Sequence, residues 1–372
     1  MKILYIAEAN LKSSSPGSNR CIKFIEYFNS KVLELRHLDP VKHQVINVNE
    51  IKEHKGRSFY LQAKERLRKK LNSRILNSST LSVQSIKCIL KILIWRLKGY
   101  NPDVIYISYK PQSVLMIGSF AKLLFRSRLI VEYRDLASIF SDSDRLVIIK
   151  KLDLLIEKIF LMWVENVVVV SPTQAERFHK YFGREALVIL NGIDPVNGHI
   201  PSNHIKKFKK SSVVIYAGTF SSRRNLNPFG KIIKQKDLRL KVFSKHNPFN
   251  YICCHSLSDR ISFEGFKTRP QLFDAYSKAD AFLLLEGYSQ SSHENIPSKL
   301  FEYIFFHKPI YFCGDINSDV GKILMDVGLL IHVSETGEFS EFLDQKKLKA
   351  NLGKYWRYQQ FKRLEKLIIH GI

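Results

Sequence analysis

Acidic residues are scarce in this chain: 34 Asp and Glu stand against 59 Lys and Arg, a formal charge of +25. Such a field attracts nucleic acid or anionic lipid headgroups. The sequence lacks what a nucleic-acid reader needs, however: it has no zinc-ligand spacing, no RNA-recognition signature and no basic heptad region. Charge alone is non-specific. Cysteine is also sparse. Cys21, Cys88, Cys253, Cys254 and Cys313 form no Cys-x-x-Cys pair, and a reducing cytoplasm fits them best. No apolar run reaches the roughly 18 uncharged residues of a membrane span. The nearest, Ile86 to Leu97, is interrupted by Lys87, Lys91 and Arg96. Met1 to Ala7 is too short for a signal peptide and reads as a first buried strand. Neither the Gly-x-Gly-x-x-Gly of a dinucleotide site nor the Gly-Lys-Ser/Thr of a P-loop occurs. No Asp-x-Asp pair stands at a plausible site, so no divalent ion is expected.

What is present is patterned. A chain of 372 residues, 45 % apolar and 12 % aromatic, is globular and too long for one core, which points to two domains. Strand, helix and strand alternate through Val104–Ser108, a helix over Gly118–Phe125, and Leu129–Tyr133. That pitch means a parallel sheet with right-handed crossovers, whose ligands sit beyond the carboxyl ends of the strands. Arg134-Asp135 follows such a strand directly. A helix N-cap with an incidental arginine is the plainer alternative there. Ser13 to Arg20 reads as a small-residue loop opening a helix near Cys21, and Val45–Val48 as a short strand. In the next helix, Val83, Ile86, Leu90, Leu93 and Leu97 recur at helical spacing and are expected to form a core stripe. Pro195–Lys210 has the polar composition of a linker. A second cycle then begins with the strand Val213–Gly218 and its loop from Thr219 to Asn225. Further strands are expected at 240–243, 261–265 and 281–285.

The most informative stretch runs from His293 to Tyr303. It sets Glu294 and Glu302 eight positions apart across a loop-to-helix junction. Proline suits the first helical position, so Pro297 reads as the helix start. Ser298, Lys299 and Leu300 would then present backbone N–H groups at a positive helix end, an anion site for a diphosphate, with Lys299 adding a full charge. Deeper in the helix, Glu302 would accept hydrogen bonds from two vicinal hydroxyls, while Glu294 faces the cleft. An ordinary surface-helix N-terminus would show the same acidic residue and proline. The sequel, a helix end at Lys308-Pro309 followed by a buried-looking strand, favours the site.

These residues resemble the retaining glycosyltransferases of the GT-B fold, family 4: Glu294, seven residues, Glu302, then helix end, Lys-Pro turn and strand. The Pro-Ser-Lys-Leu-Phe-Glu-Tyr form resembles the branch that builds bacterial surface polysaccharides. The resemblance implies an α/β fold of two doubly wound Rossmann-like domains with parallel sheets facing across a cleft. It assigns an acceptor-binding domain to residues 1–195, with a C-terminal helix 353–372 packing back on it. It assigns a linker to 196–210 and a nucleotide-sugar-binding domain to 211–352. It also implies roles. Asp135 would contact the transferred sugar or orient the acceptor, and Glu294, Arg224 and Lys299 would serve catalysis. Glu302, Ser298, Gly218, Thr219, Arg223 and Gly17 would bind the donor, Gly17 by letting the backbone approach the diphosphate. One departure stands out. The family carries a basic residue where Thr219 stands, and Arg223 is the expected substitute.

The resemblance implies no cofactor beyond the nucleotide-sugar donor itself, a UDP-sugar in the first instance and a GDP-sugar in the second. It implies a hexosyl- or N-acetylhexosaminyl-type transfer. The acceptor it implies is a polyprenyl-diphosphate-linked saccharide in O-antigen, capsule or exopolysaccharide synthesis. Segment 52–98 holds thirteen Lys or Arg against Glu53 and Glu65. It is expected to meet an anionic membrane, placing the protein peripherally on the cytoplasmic face, with no specific nucleic acid partner. A GT-B sugar-nucleotide epimerase, a basic nucleic-acid binder and a degenerate scaffold are the competing readings.

Overall fold

The structure, a computed structural model, describes residues 1–7, 16–32, 34–38, 45–47, 83–109, 113–136, 147–196, 198–201, 204–205, 211–221, 224–247, 249, 257, 259–289 and 292–371. It divides into two compact units. The first comprises Met1–Val170, Gln174–Ile189 and Arg363–Ile372; the second comprises Ser171–Thr173 and Leu190–Lys362.

The first unit runs β1 (Lys2–Ile6), α1 (Pro16–Asn29), β2 (Glu34–Leu38), β3 (Val45–Asn47), α2 (Val83–Leu97), β4 (Val104–Tyr109) and α3 (Ser113–Phe125). It continues with β5 (Arg128–Tyr133), α4 (Val147–Leu161), β6 (Asn166–Val169), α5 (Pro172–Phe182) and β7 (Leu187–Val188). Its sheet has the order β3-β2-β1-β4-β5-β6-β7. All pairs are parallel except β2 with β3.

The second unit repeats the plan with β8 (Val213–Ala217), α6 (Asn227–Gln235), β9 (Arg239–Phe243), β10 (Ile261–Phe263), α7 (Arg269–Lys278) and β11 (Ala281–Gly287). It is completed by α8 (Ser298–Phe305), β12 (Ile310–Gly314), α9 (Asp319–Asp326), β13 (Leu329–Val333), β14 (Phe339–Leu343), α10 (Gln345–Asn351) and the start of α11 (Arg357–His370), which from Arg363 onward belongs to the first unit. The order is β10-β9-β8-β11-β12-β13-β14, antiparallel only at β13 with β14. Both sheets are doubly wound, as expected.

Parallel strands covered by helices on both faces must be apolar throughout. Every residue of β4 and of β11 is buried accordingly. The local chemistry corrects three expectations. Helix α1 begins at Pro16 rather than near Cys21, because proline fits the first helical turn; Gly17 is therefore a helical residue and not a loop residue. Pro297 is the extended N-cap of α8 (φ −69°, ψ 141°) rather than its first helical residue. The third concerns α2. Its core stripe is Cys88, Ile92 and Trp95, whereas Ile86, Leu90 and Leu97 of the expected stripe are exposed, Leu97 at 87 %. Two apolar stripes share this helix, and packing on the sheet selects one of them.

Within the second unit, the Asn191-Gly192-Ile193-Asp194 turn is knit to the start of α11. Arg357 donates to both carboxylate oxygens of Asp194 at 2.7 and 2.9 Å. Gly192 has φ +74°, and a Cβ there would lie 2.6 Å from Arg357 Cα, so only glycine fits. Lys308 supplies the other internal clamp. Its buried ammonium donates to the carbonyls of Tyr276, Ser277 and Ala279 at 2.7, 2.7 and 2.5 Å. The cation thus closes the negative end of α7. Lys308→Met should leave those carbonyls unpaired and cost about 2–4 kcal/mol. Urea unfolding of the variant checks this, and an unchanged midpoint would refute the clamp.

Candidate functional site

In a doubly wound sheet the crevice opens where the strand order reverses, which in the second unit is between β8 and β11. Gly218 and Thr219 leave β8 at that point. The turn is closed by Tyr216 Oη, which donates to Thr219 O at 2.7 Å. A second turn aims Arg224: its N–H donates to Ser221 O at 3.1 Å and to Ser221 Oγ at 3.2 Å. From α8 comes Lys299, whose ammonium stands 4.7 Å from the Tyr216 ring centroid. A Cβ on Gly218 would meet Lys299 Nζ at 2.9 Å. Glycine there makes room for the cation. The Ala217 N–H donates to Tyr303 Oη at 3.0 Å, which ties the end of β8 to α8.

Between the two cations lies a residue the sequence reading did not single out, Glu286 near the end of β11. It is only 3 % exposed. Its Oε2 accepts from Arg224 Nη2 at 2.7 Å and from Asn295 Nδ2 at 3.2 Å. Its Oε1 is buried with no hydrogen-bond partner among the described residues. A carboxylate ending an otherwise apolar strand is the signal that could have marked it, by the same logic that marks Asp135. Burial pushes the Glu286 carboxyl above its usual range, while Lys299 and Arg224 pull it back. Burial also lowers Lys299 to about 8, with Glu286 opposing the fall and Arg224 assisting it.

The two glutamates of the sequence motif occupy different settings. Glu302, one turn along α8 from Lys299, has Oε1 2.9 Å from Arg269 Nη2 of α7 and keeps 21 % of its side chain accessible. Burial raises its pKa, and Arg269 counteracts that rise. Glu294 is half-buried in the loop before α8, and that loop is pinned on both sides. His293 Nε2 lies 2.7 Å from Asp315 Oδ2, and the His293 carbonyl accepts from Asp319 N–H at 3.0 Å. Burial would raise Asp315, but the Asn317 N–H and His293 hold it below the usual carboxylate range. Asn295 is fixed by Glu286, as described above.

The helix end is less open than expected. Leu300 N–H is already donated to Pro297 O at 3.0 Å. Ser298 and Lys299 hold the first two helical positions. A cavity of about 590 Å³ at the ends of β11 and β12 is bordered by Asn225, Leu285, Tyr288, Ser289, Cys313 and Glu335. Its lining mixes apolar groups with amide, hydroxyl and carboxylate, so it offers hydrogen-bond partners between apolar walls.

The remaining expected residues are dispersed. Arg223 lies outside the described residues, as does most of segment 52–98. Thr219 is exposed beside Gly218. Asp135 is exposed just past β5 and belongs to the first unit, and the carbonyl of neighbouring Arg134 accepts from Gln174 Nε2 at 3.2 Å. Gly17 is in the first turn of α1. The structure therefore brings Gly218, Thr219, Arg224, Glu286, Lys299 and Ser298 to one strand edge. Glu302 lies further along α8, and Glu294 lies in the loop before it.

Because the Lys299 ammonium is disfavoured by burial and sustained by Glu286, it should titrate near pH 8, losing its charge as pH rises. In Glu286→Gln the midpoint should move lower still. Following the lysine side-chain resonance against pH checks both. A Lys299 midpoint that does not fall in the variant would contradict the pairing.

No protein-family model matches this sequence, and no curated protein matches it in sequence. Solved structures do match in shape. The lipopolysaccharide outer core galactosyltransferase WaaB, in its apo form, aligns with a TM-score of 0.59 at 12 % identity, covering 100 % of both chains. Sucrose-phosphate synthase from Thermosynechococcus elongatus aligns at 0.56 and 14 % identity, over 99 % of this chain and 95 % of its own. Anabaena HepE, in complex with UDP and glucose, aligns at 0.51 and 15 % identity over the same shares, 99 % and 95 %. At such identities the likeness is one of backbone, and with the two doubly wound sheets it establishes that this chain has the GT-B fold.

Proposed function

We propose that the chain is a retaining glycosyltransferase that moves a hexosyl or N-acetylhexosaminyl group from a UDP-sugar to a hydroxyl of a lipid-linked saccharide. The observation that carries this reading is the convergence of Arg224 and Lys299 at the β8/β11 edge, beside the N-terminus of α8. Two cations and a positive helix end form a setting for a diphosphate. Charge that builds on the departing diphosphate is stabilised there by groups already in place, so catalysis is chiefly electrostatic. Glu286 keeps the cations oriented when no phosphate lies between them. The leaving phosphate takes the acceptor proton on the same face of the sugar, and no protein nucleophile is needed.

In this scheme Glu302 accepts hydrogen bonds from the ribose hydroxyls through the part of its carboxylate that Arg269 does not hold. Glu294 faces the transferred sugar from its pinned loop. Asp135 belongs to the acceptor side. The resident ligand is the nucleotide sugar, and the residues named here act without a metal. The pathway proposed is surface-polysaccharide assembly, with a polyprenyl-diphosphate saccharide as acceptor at the cytoplasmic leaflet.

Calorimetric titration with UDP and GDP tests the core of the reading. UDP should bind the wild-type protein. Glu302→Ala, still folded by circular dichroism, should bind it about tenfold to hundredfold more weakly, the loss of a charged hydrogen-bond acceptor. Binding of neither nucleotide would overturn the assignment. Turnover of a sugar nucleotide without any acceptor would favour an epimerase.

A further inference from the structure

Helix α2 carries two apolar stripes, and only one is used by the core. At 100° per residue, Ile86, Leu90, Ile94 and Leu97 fall within a sector of about 80°, opposite the stripe of Cys88, Ile92 and Trp95. Ile94 is 49 % exposed and Leu97 87 %. An ordinary amphipathic helix would be polar on that side. Nor is the exception confined to α2. Helix α3 packs beside α2, and α4 packs beside α3. Leu123 at the end of α3 is exposed, as are Ile159 at the end of α4 and Met162 just beyond it, the last at 76 %. Three neighbouring helices of one layer thus show large apolar side chains to the outside. An isolated exposed leucine is ordinary, whereas a run across adjacent elements marks an interaction surface.

The charges around this surface identify the partner. Lys87 and Lys91 follow the stripe along one flank of α2, and Arg96 stands on the other. Neither α2 nor α3 contains a single Asp or Glu. Lys122 at the end of α3 pairs with Glu165, whereas no acid on α2 or α3 opposes Lys87, Lys91 and Arg96. Apolar side chains framed by such cations match the acyl–headgroup boundary of an anionic leaflet, where lysine stems bury and ammonium groups meet phosphate. We propose that the outer face of α2, α3 and the end of α4 docks on the surface of an anionic lipid bilayer, without spanning it. No described helix is long and apolar enough to cross a membrane. This surface belongs to the first unit, whereas the cations proposed for the donor belong to the second.

Co-sedimentation of the full chain with phosphatidylcholine vesicles containing about 30 % phosphatidylglycerol tests the proposal. The wild type should bind them, and binding should fall with added salt as the headgroup field is screened. Leu90→Glu/Leu97→Glu, with a thermal unfolding curve like that of the wild type, should bind at least about tenfold more weakly, from lost apolar burial. Lys87→Gln/Lys91→Gln should lose about fivefold per lysine on these vesicles and change little on pure phosphatidylcholine. A wild type that stays in the supernatant would overturn the inference, as would a Leu90→Glu/Leu97→Glu protein that binds undiminished. A wild-type dimer dispersed by the same two substitutions would also overturn it and assign the face to a second copy. The readout uses no sugar nucleotide, so its failure is distinguishable from failure of the glycosyl-transfer reading.

Discussion

A lysine ammonium withdrawn from water is tolerable only when something supports its charge. The second unit of this protein is arranged around that requirement at Lys299. Gly218 leaves the space, the face of Tyr216 lies against the cation, and Glu286 supplies the opposing charge. Tyr303, on the same helix as Lys299, locks onto the end of β8 through the Ala217 N–H. The helix that carries the cation and the strand that receives it are therefore one construction. Desolvation leaves Lys299 poised near neutrality, with a pKa of about 8. Such a group responds strongly to an arriving anion.

The same economy appears at Arg224, which is held by a carboxylate rather than left in solvent. Glu286 serves both cations with one side chain, and its Oε1 is buried with no hydrogen-bond partner among the described residues. A buried pair of this kind is poor evidence for stability, because desolvating the charges offsets much of their attraction. Its value lies in orientation. The guanidinium and ammonium are prearranged at the strand edge where the topology opens a crevice, so they would meet an anion there with little reorganisation.

The first unit shows a different use of amino acids. Its helices α2 and α3 are more apolar than a sheet-covering layer requires, and the excess is turned outward. In the second unit, buried charge is instead placed for internal ends: Lys308 closes α7, and Arg357 fastens the turn at Asp194 to α11. The first unit also keeps a buried ion pair, Arg20 with Glu132, so what sets it apart is the apolar face it turns outward.

Much was legible in the sequence. Long apolar runs separated by helical patterns specify parallel sheets, because only a doubly covered strand can be apolar on both faces. The strands at 104–109, 129–133, 213–217 and 281–287 follow from that rule. The same topology is the reason for placing a candidate site past β8, since ligands meet such sheets at their carboxyl ends. Strand β2, reading Glu-Leu-Arg-His-Leu, escaped because its charged residues hide a pattern that pairing with β1 supports. Which of two apolar stripes of α2 faces inward was also undecidable locally, as both have helical period and only the sheet beneath chooses. The pairing of Glu286 with Arg224 joins residues 62 positions apart, and that of Glu302 with Arg269 joins different helices. Local sequence determined the elements, their order and the chemistry available at each strand end. Only the tertiary structure decided which charges meet, because pairing depends on distances that chain folding, not sequence spacing, sets.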